Sequence, residues 1–453
     1  MSTIAAISTG QAAGGIGIVR ISGENALFVA DRIFKTVSGL KLNELSGYRA
    51  ALGTVFLDEK PVDEAIATVF RAPKSYTGED IVEFSCHGGL FVTRQVLRAA
   101  LQNGAVPAEA GEFTKRAFLN GKLDLAKAEA VMQLISAQGE QASAAALGTL
   151  EGNLSREIAA VSADLKSVSA SLAAWVDYPD EEIDDLSDEA ISDALNSAIA
   201  ALCTLLARFD SGKVILNGVD TAIVGKPNVG KSTLMNALVG AEKSIVTDIA
   251  GTTRDIVEET VTVGNVVLHL SDTAGLRDTA DTVERIGVER ARKKIENAVL
   301  ILALFDNSVP LTDEDTDLFA LCNGKKAIAV VNKTDLDSAW DTKILDTAFN
   351  KIVYISAKEN TGVGDLENAI AEVLGTADFD PSAATLMNER QHACCAAALE
   401  SLQEAKAAQD GGLTRDAVNV SIDAAIESLD TLTGEKATES VVNEIFAQFC
   451  VGK

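Results

Sequence analysis

The sequence predicts a multidomain α/β protein in three parts: an N-terminal α+β domain, a helical bundle built from two chain segments, and a compact α/β domain inserted between them. Three observations predict this. Short apolar runs separated by turn residues fill residues 1–120. Apolar stripes at helical spacing lie on both sides of the chain centre, in residues 121–216 and 377–453. Between the stripes, in residues 217–376, apolar runs of strand length each end in a polar loop.

Composition narrows the class. The chain has 453 residues, 47% of them hydrophobic, which is ample for buried cores. It contains no run of about 18 uncharged apolar residues, so no membrane-crossing helix is expected. The N-terminus has no basic region ahead of an apolar core and does not read as a signal peptide. Six cysteines without C-x-x-C spacing point to a reducing cytoplasm, without disulfides or a zinc site. Asp and Glu number 66 against 39 Lys and Arg, a formal charge of -27. That field repels polyanions and counts against a general nucleic-acid binder.

In the first part, "TIAAIST", "GIGIVRIS" and "DIVEFSCHGG" read as strands and "LFVTRQVLRAAL" as a helix. Arg20, Glu83 and His87 stand beside these apolar runs, and each alone reads first as a capped or surface group. In the bundle, Leu154, Ile158, Val161, Leu165, Val168, Leu172 and Trp175 form one stripe, and Val418, Ile422, Ala425, Leu429 and Leu432 another. Both read as bundle core. "FDSGKVILNG" and "GTADFDPSAAT", rich in Gly, Asp and Ser, read as linkers to the inserted domain.

The inserted domain carries the chemistry. A run ending at Val224 leads into Gly225-x-x-x-x-Gly230-Lys231-Ser232 and then a helical pattern, a Walker A loop between strand and helix. Such a loop wraps backbone N–H groups around phosphate oxygens, and the helix N-terminus favours the anion. Lys231 reaches the β- and γ-phosphates, and the Ser232 hydroxyl suits Mg²⁺. Asp272 in "SDTAG" can hold Mg²⁺ through water, and the Gly275 N–H can meet the γ-phosphate. Thr253 in "TDIAGTTRD" offers Mg²⁺ a second hydroxyl. Asp335 in "NKTD" can accept from guanine N1–H and its exocyclic amine, a donor pair adenine lacks. The backbone of "SAK" can read guanine O6.

The order and spacing resemble a Ras-like P-loop G domain. The expected GTP-binding residues are Asn228, Val229, Gly230, Lys231, Ser232 and Thr233; Thr247, Asp248, Ile249, Ala250, Gly251, Thr252 and Thr253; Asp272, Thr273, Ala274 and Gly275; Asn332, Lys333 and Asp335; and Ser356, Ala357 and Lys358. Leu276 stands where Ras-type proteins place a water-orienting glutamine. Asn228 is either a monovalent-cation ligand or an ordinary turn residue, and spacing alone does not choose.

"GGIGIVRISG", "SYTGEDIVEFSCHGG", "AGEFTKRAFLNGKLDLAKAEA", the G motifs and the ending "FCVGK" together resemble the tRNA-modification GTPases of the MnmE (TrmE) family, from the first strand to the last residue. The resemblance implies an N-terminal folate-binding and dimerisation domain, a homodimer, and a heterotetramer with an FAD protein of the MnmG (GidA) type. The implied task is C5 modification of the tRNA wobble uridine, adding an aminomethyl or carboxymethylaminomethyl group. The one-carbon unit would come from 5,10-methylene- or 5-formyl-tetrahydrofolate, and no membrane is involved. Carried onto this chain, Asn228, Thr247, Ile249 and Thr252 are K⁺ ligands, which tips the Asn228 alternative towards the cation. Ser232 and Thr253 bind Mg²⁺, Glu284 orients water in place of the missing glutamine, and Arg20, Glu83, Lys122 and Lys453 contact folate. Cys86 has no role.

The charge of -27 then implies that the flavoprotein or a local basic patch supplies the tRNA phosphate contacts. The basic cluster "ERARKK" at residues 289–294 reads as a solvated helix face. A regulatory switch GTPase would need neither the N-terminal block nor "FCVGK". A Cys450 lipid anchor conflicts with Gly452 and Lys453. The remaining expectation is that Phe449 leads Cys450 and Lys453 into the folate pocket of the partner subunit, with Gly452 as the turn and Cys450 as a catalytic thiol.

Overall fold

A computed structural model describes residues 2–10, 12–177, 187–241, 259–270, 295–296 and 298–453. The chain divides into two compact units. The first comprises residues 1–132, 158–185 and 413–453, the second residues 133–157 and 186–412. The divisions between the units fall within residues 121–216 and 377–453.

The first unit is built on a seven-stranded sheet. Its strands are β1 (Ile4–Ile7), β2 (Ile16–Ser22), β3 (Phe34–Thr36), β4 (Arg49–Leu57), β5 (Lys60–Phe70), β6 (Ile81–His87) and β7 (Val106–Pro107), in the order β3-β4-β5-β6-β2-β1-β7. The pairing is antiparallel except between β1 and β7. Side chains alternate between the two faces, as a strand's period of two requires. Val19, Ile21, Val82 and Phe84 are buried in one apolar cluster with residues of the helices α1 (Ala26–Ile33) and α2 (Leu90–Gln102). In the same register Arg20 stands directly opposite Glu83. Ile4 and Ala6 form a separate cluster with Ala108 and Phe113, the latter in the helix α3 (Glu112–Leu119).

The helical stripes are core, as expected. Within α6 (Asn153–Asp177), Leu154, Ile158, Val161, Leu165, Val168 and Leu172 are buried. The stripe ends there: Trp175 is 44% exposed, with the Arg415 guanidinium 4.7 Å over its ring. Val418, Ile422, Ala425, Leu429 and Leu432 are buried on the helix Arg415–Thr433.

The second unit holds a six-stranded sheet in the order β13-β12-β11-β8-β10-β9. Its strands are β8 (Val219–Val224), β9 (Glu259–Val263), β10 (Val266–Leu270), β11 (Leu300–Asp306), β12 (Ala327–Asn332) and β13 (Lys351–Tyr354). All pairs are parallel except β9 with β10. Every residue of β11 and β12 is buried, the mark of a parallel sheet covered on both faces. The loops that follow β8, β12 and β13 therefore emerge at one edge, where ligands of such sheets bind.

One expectation is corrected here. "FDSGKVILNG" is not a linker but a helix, α8 (Phe209–Asn217), with Phe209, Gly212, Ile215 and Leu216 buried. Its glycine serves close packing: a Cβ on Gly212 would lie 2.6 Å from Thr385 Cγ2. Also, residues Asp188–Asn217 form a stretch long and apolar enough to cross a membrane by length and composition. Within α7 (Asp188–Ala207), however, Ile191, Leu195, Leu202 and Leu205 are buried in the protein.

Candidate functional site

The loop after β8 runs into the helix α9 (Lys231–Ala241). Three of its residues have positive φ: Gly225 at 147°, Asn228 at 64° and Gly230 at 99°. The left-handed region suits glycine, and asparagine tolerates it. A Cβ on Gly230 would come within 2.2 Å of Asn332 Nδ2, and one on Gly225 within 2.5 Å of the Leu304 carbonyl. The loop thus curls tightly enough to turn its backbone into an anion cradle. Lys231 Nζ donates to the carbonyls of Gly225 (2.7 Å) and Lys226 (2.6 Å) and so spans the loop. Val229 is buried, whereas Asn228, Ser232 and Thr233 are exposed. Lys226 is tied outward, 2.5 Å from Asp315 Oδ2 and 3.1 Å from Thr312 Oγ1.

Asn332, 2% exposed, joins three loops. Its Nδ2 donates to the Val229 carbonyl at 2.8 Å, and its Oδ1 accepts from the Ala357 N–H at 3.0 Å. Asp335 Oδ1 accepts from Ser356 Oγ at 2.7 Å, which aims the carboxylate from a fixed partner. Lys333 has φ 65°, and its ammonium lies 2.5 Å from Asp306 Oδ2. Burial pushes the Asp306 carboxyl up, but the Lys333 ammonium and the Ser308 donors outweigh it and hold it below its usual range. Lys358 is exposed. The first loop and the residues Asn332, Lys333, Asp335, Ser356 and Ala357 are therefore brought together. The expected residues Thr247, Asp248, Ile249, Ala250, Gly251, Thr252, Thr253, Asp272, Thr273, Ala274, Gly275 and Glu284, with Leu276 and the basic cluster, lie outside the described residues.

Ser232 and Asn228 suit the implied ions. A serine hydroxyl at the head of a helix, beside an anion cradle, is a hard oxygen suited to Mg²⁺. An exposed asparagine in the same loop offers a carbonyl oxygen to a monovalent cation.

A second cluster forms in the first unit. Arg20 Nε donates to Glu83 Oε1 at 2.7 Å. The Arg20 guanidinium lies 5.5 Å from the Tyr76 ring centre and 5.4 Å from that of Phe113. Tyr76 is anchored by a 2.9 Å hydrogen bond between its hydroxyl and Thr114 Oγ1. Lys453 joins this group. Burial and the Arg20 charge lower its pKa, and the Glu83 carboxylate opposes them. Lys122 donates to the Pro73 carbonyl at 3.0 Å, on the loop that carries Tyr76. Three of the four expected residues are thus electrostatic neighbours, and Lys122 braces the adjoining loop. Tyr76 and Phe113 were not singled out in the sequence. The available signal was their place in "SYTGED" and "GEFTKR".

The tail reaches this cluster, but in its own chain rather than a partner's. Val451 bridges Ala110, and the Phe113 N–H donates to the Lys453 carbonyl at 3.2 Å. Phe446 and Phe449, with ring centres 5.1 Å apart and planes tilted by 46°, are buried and anchor the segment. Gly452 makes the turn with φ 98°, and a Cβ there would sit 2.3 Å from the Ile7 carbonyl. Cys450 is exposed. Cys86, without a role in the expectations, is buried; its thiol donates to the Gly17 carbonyl, and burial pushes it up to about 11.

Family comparisons agree with this architecture. Residues 3–122 match the family model "GTP-binding protein TrmE N-terminus", and residues 125–450 match "MnmE helical domain". The chain is 39% identical over 456 residues to the tRNA modification GTPase MnmE of Acetivibrio thermocellus, covering 100% of this chain and 99% of that one. It is 41% identical over 460 residues to that of Lactiplantibacillus plantarum, covering 100% and 98%. For Geobacillus kaustophilus the identity is 40% over 458 residues, covering 100% and 99%. Over 34% of its length it also aligns with 98% of the solved G domain of the T. maritima FeoB iron transporter, at 25% identity; a TM-score of 0.26 decides nothing further. The chain belongs to the MnmE family of tRNA modification GTPases.

Proposed function

We propose that this chain is a potassium-dependent GTPase that works as a homodimer in the cytoplasm. With an FAD protein of the MnmG (GidA) type it forms a heterotetramer and modifies C5 of the tRNA wobble uridine. The observation that carries the GTPase reading is Asn332, which holds a phosphate-type loop and a base-type loop together at one sheet edge. The domains we assign are residues 1–120 for folate binding and dimerisation, 217–376 for the G domain, and 121–216 with 377–453 for the helical domain.

In this reading the backbone of residues 228–233 binds the phosphates, and Lys231 leaves the Gly225 and Lys226 carbonyls for phosphate oxygens. Asp335, already oriented by Ser356, accepts from the guanine donors, and the backbone of Ser356, Ala357 and Lys358 reads O6. Ser232 and Thr253 would hold Mg²⁺; Asn228, Thr247, Ile249 and Thr252 would hold K⁺. These cations supply positive charge to the leaving phosphate oxygens. Glu284 orients the attacking water, a task Leu276 cannot perform. In the first unit, Arg20, Glu83, Lys122 and Lys453 bind the tetrahydrofolate, and Cys450 assists transfer as a thiol. The charge of -27 supports a flavoprotein that contributes most of the tRNA contacts.

GTP turnover by the purified chain in potassium and in sodium buffer, at matched ionic strength, tests the reading. Turnover well above the sodium rate is expected in potassium, because an oxygen cage of potassium size holds the smaller ion poorly. Equal rates would overturn the potassium dependence and leave the GTPase assignment standing. No turnover in either salt would overturn both.

A further inference from the structure

Lys333 is a non-glycine residue held at φ 65°, a conformation that costs on the order of 1 kcal/mol and persists only where neighbours enforce it. Its backbone sits between Asn332, bonded to two other loops, and Thr334, whose N–H donates to the Ile355 carbonyl at 3.2 Å. Its side chain ends on Asp306 Oδ2. That carboxylate is nearly buried and fully engaged: Oδ1 accepts from the Ser308 N–H (2.9 Å) and Oγ (2.6 Å). The backbone around Asp306 is sewn to the same base-type loop. The Asp306 carbonyl accepts from Trp340 Nε1 at 2.9 Å, and the Asn307 N–H donates to the Asn332 carbonyl at 2.9 Å. Asn307 Nδ2 donates to the Leu336 carbonyl at 3.2 Å. The charged contact is the one that reaches the turn immediately before Asp335.

We propose that Asp306 is a positioning residue for guanine recognition: through its ion pair with Lys333 it sets the left-handed turn that aims the Asp335 carboxylate. The inference rests on the GTP reading of Asp335. An ion pair of this kind, with Lys333 a third exposed, contributes little to global stability. Its value lies in pre-organisation, which shows in selectivity. Guanine offers Asp335 two donors, whereas hypoxanthine offers only N1–H. A correctly aimed carboxylate therefore favours GDP over IDP, and a loosened one favours it less.

The test uses the full chain and the affinities of GDP and IDP, with GTP turnover and melting temperature alongside. Asp306→Asn keeps the shape and removes the charge. It is expected to reduce the GDP-to-IDP affinity ratio by about tenfold, the scale of one charge-assisted hydrogen bond. The turnover number at saturating GTP should stay within about twofold, because the contact is made equally in ground and transition states. Lys333→Gln removes the other partner from an accessible position and is the second arm. It should reproduce the lost ratio, and the double variant should be no worse than either single one. An unchanged ratio in either variant, an equal loss of GDP and IDP affinity, or additive effects would overturn the proposal. A native chain that does not distinguish GDP from IDP would overturn the guanine reading itself, and the proposal with it.

Discussion

Lys453 sits where its proton is held less firmly than in water. Burial and the Arg20 guanidinium both disfavour the ammonium, and Glu83 only partly offsets them. The folded pKa is therefore below the ordinary value of 10.5, so the unfolded chain binds the proton more strongly. The linked stability rises with pH through the window between the lowered value and 10.5, and is flat outside it. Replacing Arg20 by Gln is expected to move the Lys453 titration up, and replacing Glu83 by Gln to move it further down. An NMR titration of the lysine ε-nitrogens checks both signs. Such couplings were invisible in the sequence, because Arg20 and Glu83 meet only through the β2–β6 register. The phosphate-loop residues were legible because their chemistry is local: consecutive backbone donors, one ammonium and one hydroxyl. Asp306 was not, since nothing near it in the chain announces that Lys333 will fold onto it.

At the scale of elements, hydrophobic period was the readable part. The stripe on α6 as far as Leu172, and that on the helix Arg415–Thr433, are buried. The error at α8 came from reading Gly, Asp and Ser as linker composition. Phe209, Gly212, Ile215 and Leu216 share a face, and Gly212 is small because Thr385 presses against it. Gly212→Ala tests this. Alanine gains up to about 1 kcal/mol in helix propensity. The clash with buried Thr385 costs about 1–3 kcal/mol, so net destabilisation is expected. A lower denaturant midpoint would show it, and Gly212→Ala combined with Thr385→Ser should recover most of the loss. A midpoint unchanged or raised in the single variant would mean that the contact relaxes without cost.

At the scale of the molecule, the two candidate sites fall in different compact units. The phosphate and base loops lie in the second unit, and the tail with its charged cluster lies wholly in the first. Changes to the tail should therefore spare GTP hydrolysis. Cys450→Ser, and deletion of residues 450–453, are each expected to leave GTP turnover near its native value and to lower tRNA modification assayed with the proposed flavoprotein partner. Full modification by Cys450→Ser would exclude a chemical role for the thiol and leave Lys453 as the part of the tail that matters. Loss of GTP turnover in either variant would contradict the separation. The docking of the tail was legible in its apolar run and glycine. The sequence could not say which subunit's sheet the tail meets, because that depends on a long loop closing.

The same closure bears on how the chain is made. Gly111 donates to the carbonyl of Cys450, so the segment that follows the first sheet, from Ala110 to Phe113, meets its partner only after residues up to Lys453 have left the ribosome. Until then the donors of Gly111 and Phe113 stand without these partners while residues 133–412 are synthesised. Loop closure over such a separation makes this contact late and slow. The α+β unit is thus begun first and completed last, and its exposed intermediate is the stage at which assistance from a chaperone would matter most.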